Sequence, residues 1–231
     1  MHSHISHLFA LIELAVARGI TKLYIHVITD GRDTLPKSGA EFIKSLQDKL
    51  LYNGIGKIAS ISGRNWTMDR NQNWDRTEKA YKALLGTAPL QSQDVMEVVK
   101  NSYEKNISDE FIEPTTLVDE KGAPVGPMQD GDTIVFFNFR EDRACQITKA
   151  LTLDDFPGFS RGRKLNLLEF VSMTEYEDNL STKVVFPPQK IINPLGKILS
   201  DNKKQQLRIA ETEKYAHVTY FFNGGREEPF P

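Results

Sequence analysis

The feature that most constrains the fold is the alternation of strand-like and helix-like segments along most of the chain. Runs rich in β-branched and aromatic residues, at 22–29, 57–62 and 132–139, are each followed by apolar residues at helical spacing. Such alternation is typical of α/β folds, in which helices cover a sheet. The sequence therefore predicts a layered α/β/α domain with a mixed, mainly parallel sheet.

The run Ile134-Val135-Phe136-Phe137 has no polar alternation, which predicts a central strand covered on both faces. Further along, Pro187-Pro188 can continue neither a helix nor a central strand and predicts a linker. Beyond it we expect two helices and a short strand. The remaining predicted elements are helices at 4–18, 38–52, 75–85, 92–105, 144–151, 194–199 and 211–222, and strands at 115–118, 165–173, 183–186 and 207–209.

Three predicted strands end in turns that combine arginine with aspartate, here called the arginine turns. They are 31–33 (Gly-Arg-Asp), 63–70 (from Gly63-Arg64 to Asp69-Arg70) and 140–143 (Arg-Glu-Asp-Arg). If the strands are neighbours in one sheet, the turns meet at the edge where α/β folds bind ligands. Gathered arginines repel one another without counter-ions, so they indicate a multiply anionic ligand. The alternative for any single turn is a solvated surface ion pair.

Asp33 is the candidate acid/base residue. Neighbouring arginines would lower the pKa of its carboxyl group and keep it ionised, able to accept a hydroxyl proton or to orient the hydroxyl. The alternative is a local role before Pro36, in an Asx-turn or as a helix N-cap.

The histidines near the start of the chain do not predict a metal site. His2, His4 and His7 match no strong zinc pattern, and Cys145 is the sole cysteine. An anion contact by His2 is more credible, because it precedes a predicted helix N-terminus.

Charge and cysteine content limit the classes of binding partner and the cellular compartment. The chain has 29 Lys+Arg against 31 Asp+Glu, and a net charge of −2 argues against nucleic-acid or membrane-surface binding. No apolar run approaches the roughly 20 residues that span a bilayer. One cysteine suits a reducing cytosol and predicts a cytoplasmic protein.

Several motifs together resemble the cofactor-independent (2,3-bisphosphoglycerate-independent) phosphoglycerate mutases, in that family's order and approximate spacing. The match runs along the whole chain. The motifs are His2-Ser3-His4, Asp30-Gly31-Arg32-Asp33, Gly63-Arg64, Met68-Asp69-Arg70, Trp74-Asp75-Arg76, Phe137-Asn138-Phe139-Arg140, Asp142-Arg143 and Ala210-Glu211-Thr212-Glu213-Lys214-Tyr215.

The resemblance implies a usually monomeric two-domain glycolytic isomerase that interconverts 3-phosphoglycerate and 2-phosphoglycerate. Its phosphatase-like domain holds two divalent metal ions, usually manganese, and a serine that takes the phosphoryl group. Its transferase domain holds the glycerate. Lys214 matches a lysine contributed by the phosphatase side. The residues that match substrate-binding positions of the transferase domain are His2, Arg32, Asp33, Arg64, Arg70, Arg140 and Arg143.

By the same resemblance we expect residues 1–187 to form a transferase domain lacking its first strand and helix. Residues 188–231 would be a linker and the truncated start of an alkaline-phosphatase-like domain, with Tyr220, Phe221 and Phe222 exposed. The family's serine would lie upstream and most metal ligands downstream, so this chain alone is expected to be inactive and to bind no metal. The alternatives are a stand-alone anion-binding module for phosphorylated small acids and a protein whose arginine turns dock an acidic partner.

Overall fold

A computed structural model describes residues 2–178, 180–189, 191–226 and 228–231. The chain divides into two compact units, Met1–Phe186 and Pro187–Pro231. The boundary falls at the consecutive prolines Pro187 and Pro188, where neither helix nor central strand can continue.

The strands of the first unit form two sheets. The first has the strand order β1-β2-β4-β3 and the second the order β5-β6-β7. All neighbouring strands are parallel except β2 and β4, which confirms the predicted α/β fold with a mixed, mainly parallel arrangement. The strands are β1 Tyr24–Thr29, β2 Lys57–Gly63, β3 Leu90–Ser92, β4 Thr115–Leu117, β5 Thr133–Phe136, β6 Glu169–Ser172 and β7 Lys183–Val184.

Helices follow most of the strands, as the alternation predicts. The α-helices are α1 Ile5–Ala17, α2 Gly39–Asn53, α3 Arg64–Thr67, α4 Trp74–Leu84, α5 Val95–Glu104, α6 Cys145–Thr152 and α7 Leu195–Asp201. Shorter 3₁₀ segments are Asp109–Phe111, Glu141–Arg143 and Thr212–Lys214, and His217–Phe221 is a π-helical turn.

Local chemistry fixes several helix ends. The His4 side chain, rather than the Ser3 side chain, accepts from the Ser6 N–H and caps α1. The Asp94 carboxylate accepts from the Met96 N–H and caps α5. Gly54 ends α2 with φ of 63°, a left-handed conformation that glycine adopts without steric cost.

Three apolar clusters hold the first unit together. One joins α1 to α2, with Ile12 and Leu46 at its centre. Another packs α2 and α5 on the first sheet around Ile61. The third packs α4 and α6 beside the second sheet, with Tyr81 and Ile147 among its buried members. Apolar burial therefore places both sheets under helices, which leaves the strand ends free to carry polar turns.

Two sequence predictions were wrong. β5 lies at the edge of its sheet, and Val135 within it is 43% exposed. A short apolar run has the same pattern in an edge strand and in a central strand, so periodicity alone could not separate them. Leu207 and Ile209 form no strand and are 87% and 84% exposed.

The predicted exposure of the aromatic run in the second unit is confirmed. Tyr220, Phe221 and Phe222 are 39%, 56% and 49% exposed. Within the described ranges, no helix is both long and apolar enough to cross a membrane.

A histidine in the first sheet predicts a pH-dependent stability. The Nδ1 atom of His26 in β1 lies 2.8 Å from Ser60 Oγ, and burial lowers the pKa of His26 from 6.5 to about 4. A depressed pKa means that the unfolded chain binds the proton more readily. The stabilisation is therefore complete above pH 6.5 and lost as the pH falls toward 4.

We expect the free energy of unfolding to decrease by about 2–3 kcal/mol over this range because of His26. Urea unfolding at a series of pH values measures the decrease. His26→Gln should flatten the slope, whereas His7→Gln, which changes an exposed histidine, should leave it in place. Equal slopes for wild type and His26→Gln would contradict the assignment.

Candidate anion-binding site

The first arginine turn begins directly after β1 and is shaped by Asp30. Its Oδ1 accepts hydrogen bonds from the backbone N–H groups of Arg32 (3.1 Å) and Asp33 (3.0 Å). Gly31 has φ of 67° and its N–H donates to Thr34 Oγ1 at 3.1 Å. Asp30 therefore forms the Asx-type turn that was the alternative role for Asp33, which leaves the Asp33 carboxylate free for another contact.

That contact is with Arg64, the first residue of α3. Arg64 is only 3% exposed, and its Nη1 donates to Asp30 Oδ1 at 2.7 Å and to Asp33 Oδ2 at 2.9 Å. Its Nη2 lies 3.2 Å from His2 Nε2. The buried Nε of Arg64 has no hydrogen-bond partner among the described residues. One guanidinium thus joins the turns after β1 and β2 to the start of the chain.

His2 extends the connection to the turn after β5. Its Nδ1 is 3.0 Å from Asn138 Oδ1, and its backbone oxygen accepts from the Phe139 N–H at 2.7 Å. Burial lowers the pKa of His2, and the charges of Arg64 and Arg140 lower it further. In the neutral imidazole Nδ1–H donates to Asn138 Oδ1 and Nε2 accepts from Arg64, so His2 orients Arg64 without adding positive charge.

Asp142 gathers two more arginines. Arg70 pairs with Asp142 Oδ2, to which Arg140 Nη2 also donates at 2.8 Å. Arg140 Nε lies 2.7 Å from Asp142 Oδ1, although Oδ1 accepts no well-aligned hydrogen bond from the described residues. The turns after β2 and β5 therefore share one carboxylate.

Arg143 completes this group. Its Nη1 donates to the Met68 carbonyl oxygen at 3.1 Å. Burial lowers the pKa of Arg143, and the positive charges of Arg64 and Arg70 lower it further. The contact with Met68 places the Arg143 guanidinium beside the turn after β2, which carries Arg64 and Arg70.

The carboxylates of the site stay ionised. The hydrogen bond from Arg64 is the main cause that lowers the pKa of Asp33. Burial opposes ionisation of Asp142, but hydrogen bonds from Arg140 and Arg70 outweigh it and lower the pKa of Asp142. Near neutral pH the site therefore contains alternating positive and negative groups.

Two predicted residues lie outside this contact network. Arg32 has a 60% exposed side chain that pairs with Glu110 at 3.2 Å. Lys214 lies in the second unit and pairs with Glu211. The structure brings the remaining six candidates together: His2, Asp33, Arg64, Arg70, Arg140 and Arg143.

Sequence reasoning missed four polar residues of the site: Asp30, Glu110, Asn138 and Asp142. Asp30, Asn138 and Asp142 lie inside the family motifs quoted above, and that position could have marked them as site residues. Glu110 is 78 residues from its partner Arg32, and no local pattern connects them. Both tryptophans make contacts away from these arginines: Trp66 Nε1 donates to the Phe111 carbonyl, and Trp74 packs on Phe156.

The part of the chain that the structure describes contains no group of three or more His, Cys, Asp or Glu side chains that could hold a metal ion. What it does contain is an open set of arginines with exposed guanidinium edges. Arg70 and Arg140 each have side chains that are 45% exposed. Fold and site together define an α/β protein whose strand-end turns bring arginines and carboxylates together, and the planar fork of arginine is the donor that matches anionic oxygens.

Comparison with known proteins identifies the family. Residues 1–178 match the family model described as "BPG-independent PGAM N-terminus", and the chain belongs to this family. The predicted resemblance to the cofactor-independent phosphoglycerate mutases is confirmed.

Similar proteins carry that name. The chain is 47% identical over 232 residues to a 2,3-bisphosphoglycerate-independent phosphoglycerate mutase of Moorella thermoacetica, and 50% identical over 231 residues to one of Synechococcus sp. (strain JA-3-3Ab). These matches cover 100% of this chain but only 45% and 42% of the relatives, so the chain spans just under half of their length.

The fold is also found in a solved structure. A crystal structure of Leishmania mexicana phosphoglycerate mutase at low cobalt concentration superposes with a TM-score of 0.83 at 30% sequence identity. The superposition covers 100% of this chain and 44% of that one.

Proposed function

We propose that this chain supplies the substrate-holding site of a 2,3-bisphosphoglycerate-independent phosphoglycerate mutase, which interconverts 3-phosphoglycerate and 2-phosphoglycerate. The observation that carries the proposal is the position of Arg64, which contacts both Asp33 and His2. Burying a guanidinium between a carboxylate and a neutral imidazole costs desolvation free energy. We infer that the arrangement serves to bind an anionic ligand that also has a hydroxyl group.

The number of arginines suits a phosphoglycerate. A phosphate and a carboxylate together present five anionic oxygens, and each group is matched by the planar fork of an arginine. Arg64 and Arg143 are partly or fully buried, whereas Arg32, Arg70 and Arg140 have exposed edges. We propose that the exposed arginines capture the ligand and that Arg64 fixes its orientation beside Asp33.

Asp33 is the proposed catalytic residue. Its carboxylate is 37% exposed and accepts from Arg64 on one oxygen, Oδ2. The free lone pairs can accept the hydroxyl hydrogen of a bound glycerate and orient that hydroxyl for phosphoryl transfer. Bound phosphate would place negative charge nearby and raise the pKa of Asp33, which makes it a better proton acceptor when substrate is present.

The other features of the family are also part of this proposal. Lys214 is proposed to contact the substrate from the second unit. The two divalent metal ions, manganese in the family, are proposed to have their ligands outside this chain, since the described residues contain no group of three or more side chains that could hold one. We propose a cytoplasmic, monomeric glycolytic enzyme, in keeping with the single Cys145.

Calorimetric titration tests the substrate proposal. We expect 3-phosphoglycerate and 2-phosphoglycerate to bind saturably, and about tenfold or more tightly than inorganic phosphate, because two anionic groups contact more arginines than one. Arg32→Ala should weaken phosphoglycerate binding by about fivefold to tenfold.

A matched control is Arg163→Ala. Arg163 is another exposed arginine with one carboxylate partner, Asp130 at 2.7 Å, and it lies outside the arginine turns. Its removal should leave the affinity unchanged. Equal affinity for phosphoglycerate and inorganic phosphate, or equal effects of the two substitutions, would contradict the proposal.

A further inference from the structure

We propose that Gln146 is a positioning residue that sets the spacing between Arg70 and Arg143. The inference rests on the proposed function, because spacing matters only to a ligand that contacts several arginines. Gln146 lies in α6 and is 6% exposed. It is buried beside the site and acts through the backbone that carries the arginines.

Every polar atom of the Gln146 side chain is used. Its Nε2 donates to Asp69 Oδ2 and to Thr77 Oγ1, both at 3.0 Å. Its Oε1 accepts from the backbone N–H of Gln72 at 2.8 Å. One side chain on α6 thus binds Asp69 in the arginine turn after β2, Gln72 just beyond that turn, and Thr77 in α4.

Asp69 makes further hydrogen bonds along the same stretch of chain. It is 4% exposed, and its Oδ2 also accepts from the backbone N–H groups of Asn71 (3.0 Å) and Asn73 (2.9 Å). The intervening Gln72 has φ of 60°, an uncommon conformation for a residue other than glycine. The hydrogen bond from Gln72 to Gln146 holds the turn in this shape.

The hydrogen bonds of Gln146 to Asp69, Gln72 and Thr77 are here called the Gln146 bridge. This bridge connects backbone segments that lie next to Arg70 and Arg143. Asp69 directly precedes Arg70, and Gln146 follows Arg143 by three residues, close to one helical turn. A shift of α6 relative to the turn after β2 would therefore change the distance between the two guanidinium groups.

Two other directional contacts join these turns, Arg143 Nη1 to the Met68 carbonyl oxygen and Arg70 to Asp142, but both are made by the arginines themselves. Among the described residues, no strand of the first sheet pairs with a strand of the second. Contacts of α4 with α6, around Tyr81 and Ile147, hold the two halves together. Such contacts are non-directional, whereas hydrogen bonds weaken steeply with poor geometry and so define a position.

The test compares two ligands on the same variants. Gln146→Met keeps the length of the side chain and removes all three hydrogen bonds. We expect its affinity for 3-phosphoglycerate to fall about tenfold, while its affinity for inorganic phosphate, which needs fewer arginines, changes less than about twofold. A general loss of structure would weaken both ligands together.

The matched control is Thr148→Val on the same helix. Thr148 is fully buried and its hydroxyl donates only to Ala144 within α6, so the substitution lowers stability without touching the bridge. The ratio of the affinity for 3-phosphoglycerate to the affinity for inorganic phosphate should not change. If Gln146→Met does not fold, Thr77→Val removes one partner of Gln146 Nε2 and should reduce the ratio by a smaller factor.

The outcomes separate this inference from the proposed function. A wild-type chain with no preference for 3-phosphoglycerate over phosphate overturns both. A wild-type chain with that preference, which Gln146→Met or Thr77→Val retains in full, overturns the positioning role alone. The positioning role is also overturned if Thr148→Val removes the preference as strongly as Gln146→Met and Thr77→Val do.

Discussion

Replacing Arg64 by lysine should lower the affinity for 3-phosphoglycerate by about 100-fold, which corresponds to about 2.7 kcal/mol. Lysine keeps the positive charge but loses the planar fork that contacts Asp30, Asp33 and His2 at once. A hydrogen bond to a charged group contributes about 1.5–3 kcal/mol, so losing the oriented fork accounts for a change of this size. Arg64→Ala should weaken binding further, because two partly exposed carboxylates then face the ligand without a counter-ion.

Titration calorimetry measures the affinities, and thermal unfolding checks that the variants are folded. Arg161→Lys is a suitable control: the guanidinium of Arg161 donates to the carbonyl oxygens of Ala150 (2.9 Å) and Asp154 (2.8 Å), outside the group of arginines around Asp33 and Asp142. Its affinity should stay within about twofold of wild type. An Arg64→Lys variant that binds as tightly as wild type would show that the fork has no role in recognition.

The second large effect is expected at Gly63, the last residue of β2. Its φ of −70° is open to any residue, so the cost of a side chain there is steric. An added Cβ would lie 2.6 Å from the Glu110 carbonyl carbon and 2.7 Å from the Asp109 carbonyl oxygen. We expect Gly63→Ala to lower the free energy of unfolding by about 3 kcal/mol, at the upper end of the cost of overpacking.

Urea unfolding provides the measurement. Gly122→Ala is an informative comparison, because an added Cβ meets nothing within 4 Å but the residue has φ of 80°. Its cost should be only about 1 kcal/mol, from the backbone conformation alone. A Gly63→Ala variant as stable as Gly122→Ala would mean that the Asp109–Phe111 segment can move aside easily.

Much of the fold was predictable, because it depends on local patterns. Periodicity located β1, β2 and the helices that follow them, and it located the turns that carry Arg32 and Arg64. The layered α/β arrangement follows from the same alternation. Periodicity did not reveal that the strands form two sheets, because strand pairing depends on contacts between residues far apart in sequence.

The site was predictable only as a list of charged residues. The arginines were evident from their turns, but their partners were not. Asp30 forms the turn because its carboxylate accepts from the backbone N–H groups of Arg32 and Asp33, a local geometry that composition does not reveal. The bridge through Gln146 joins residues 77 positions apart, and a buried glutamine in a helix has no sequence signature of its own.

The carboxylates that accompany the arginines have a consequence for selectivity. Arg64 pairs with Asp30 and Asp33, Arg70 and Arg140 pair with Asp142, and Arg32 pairs with Glu110. An incoming anion must therefore compete with anions that are covalently part of the protein. We expect a molecule with two charged ends to displace several of these carboxylates at once, and we expect chloride, which can replace only one, to bind weakly.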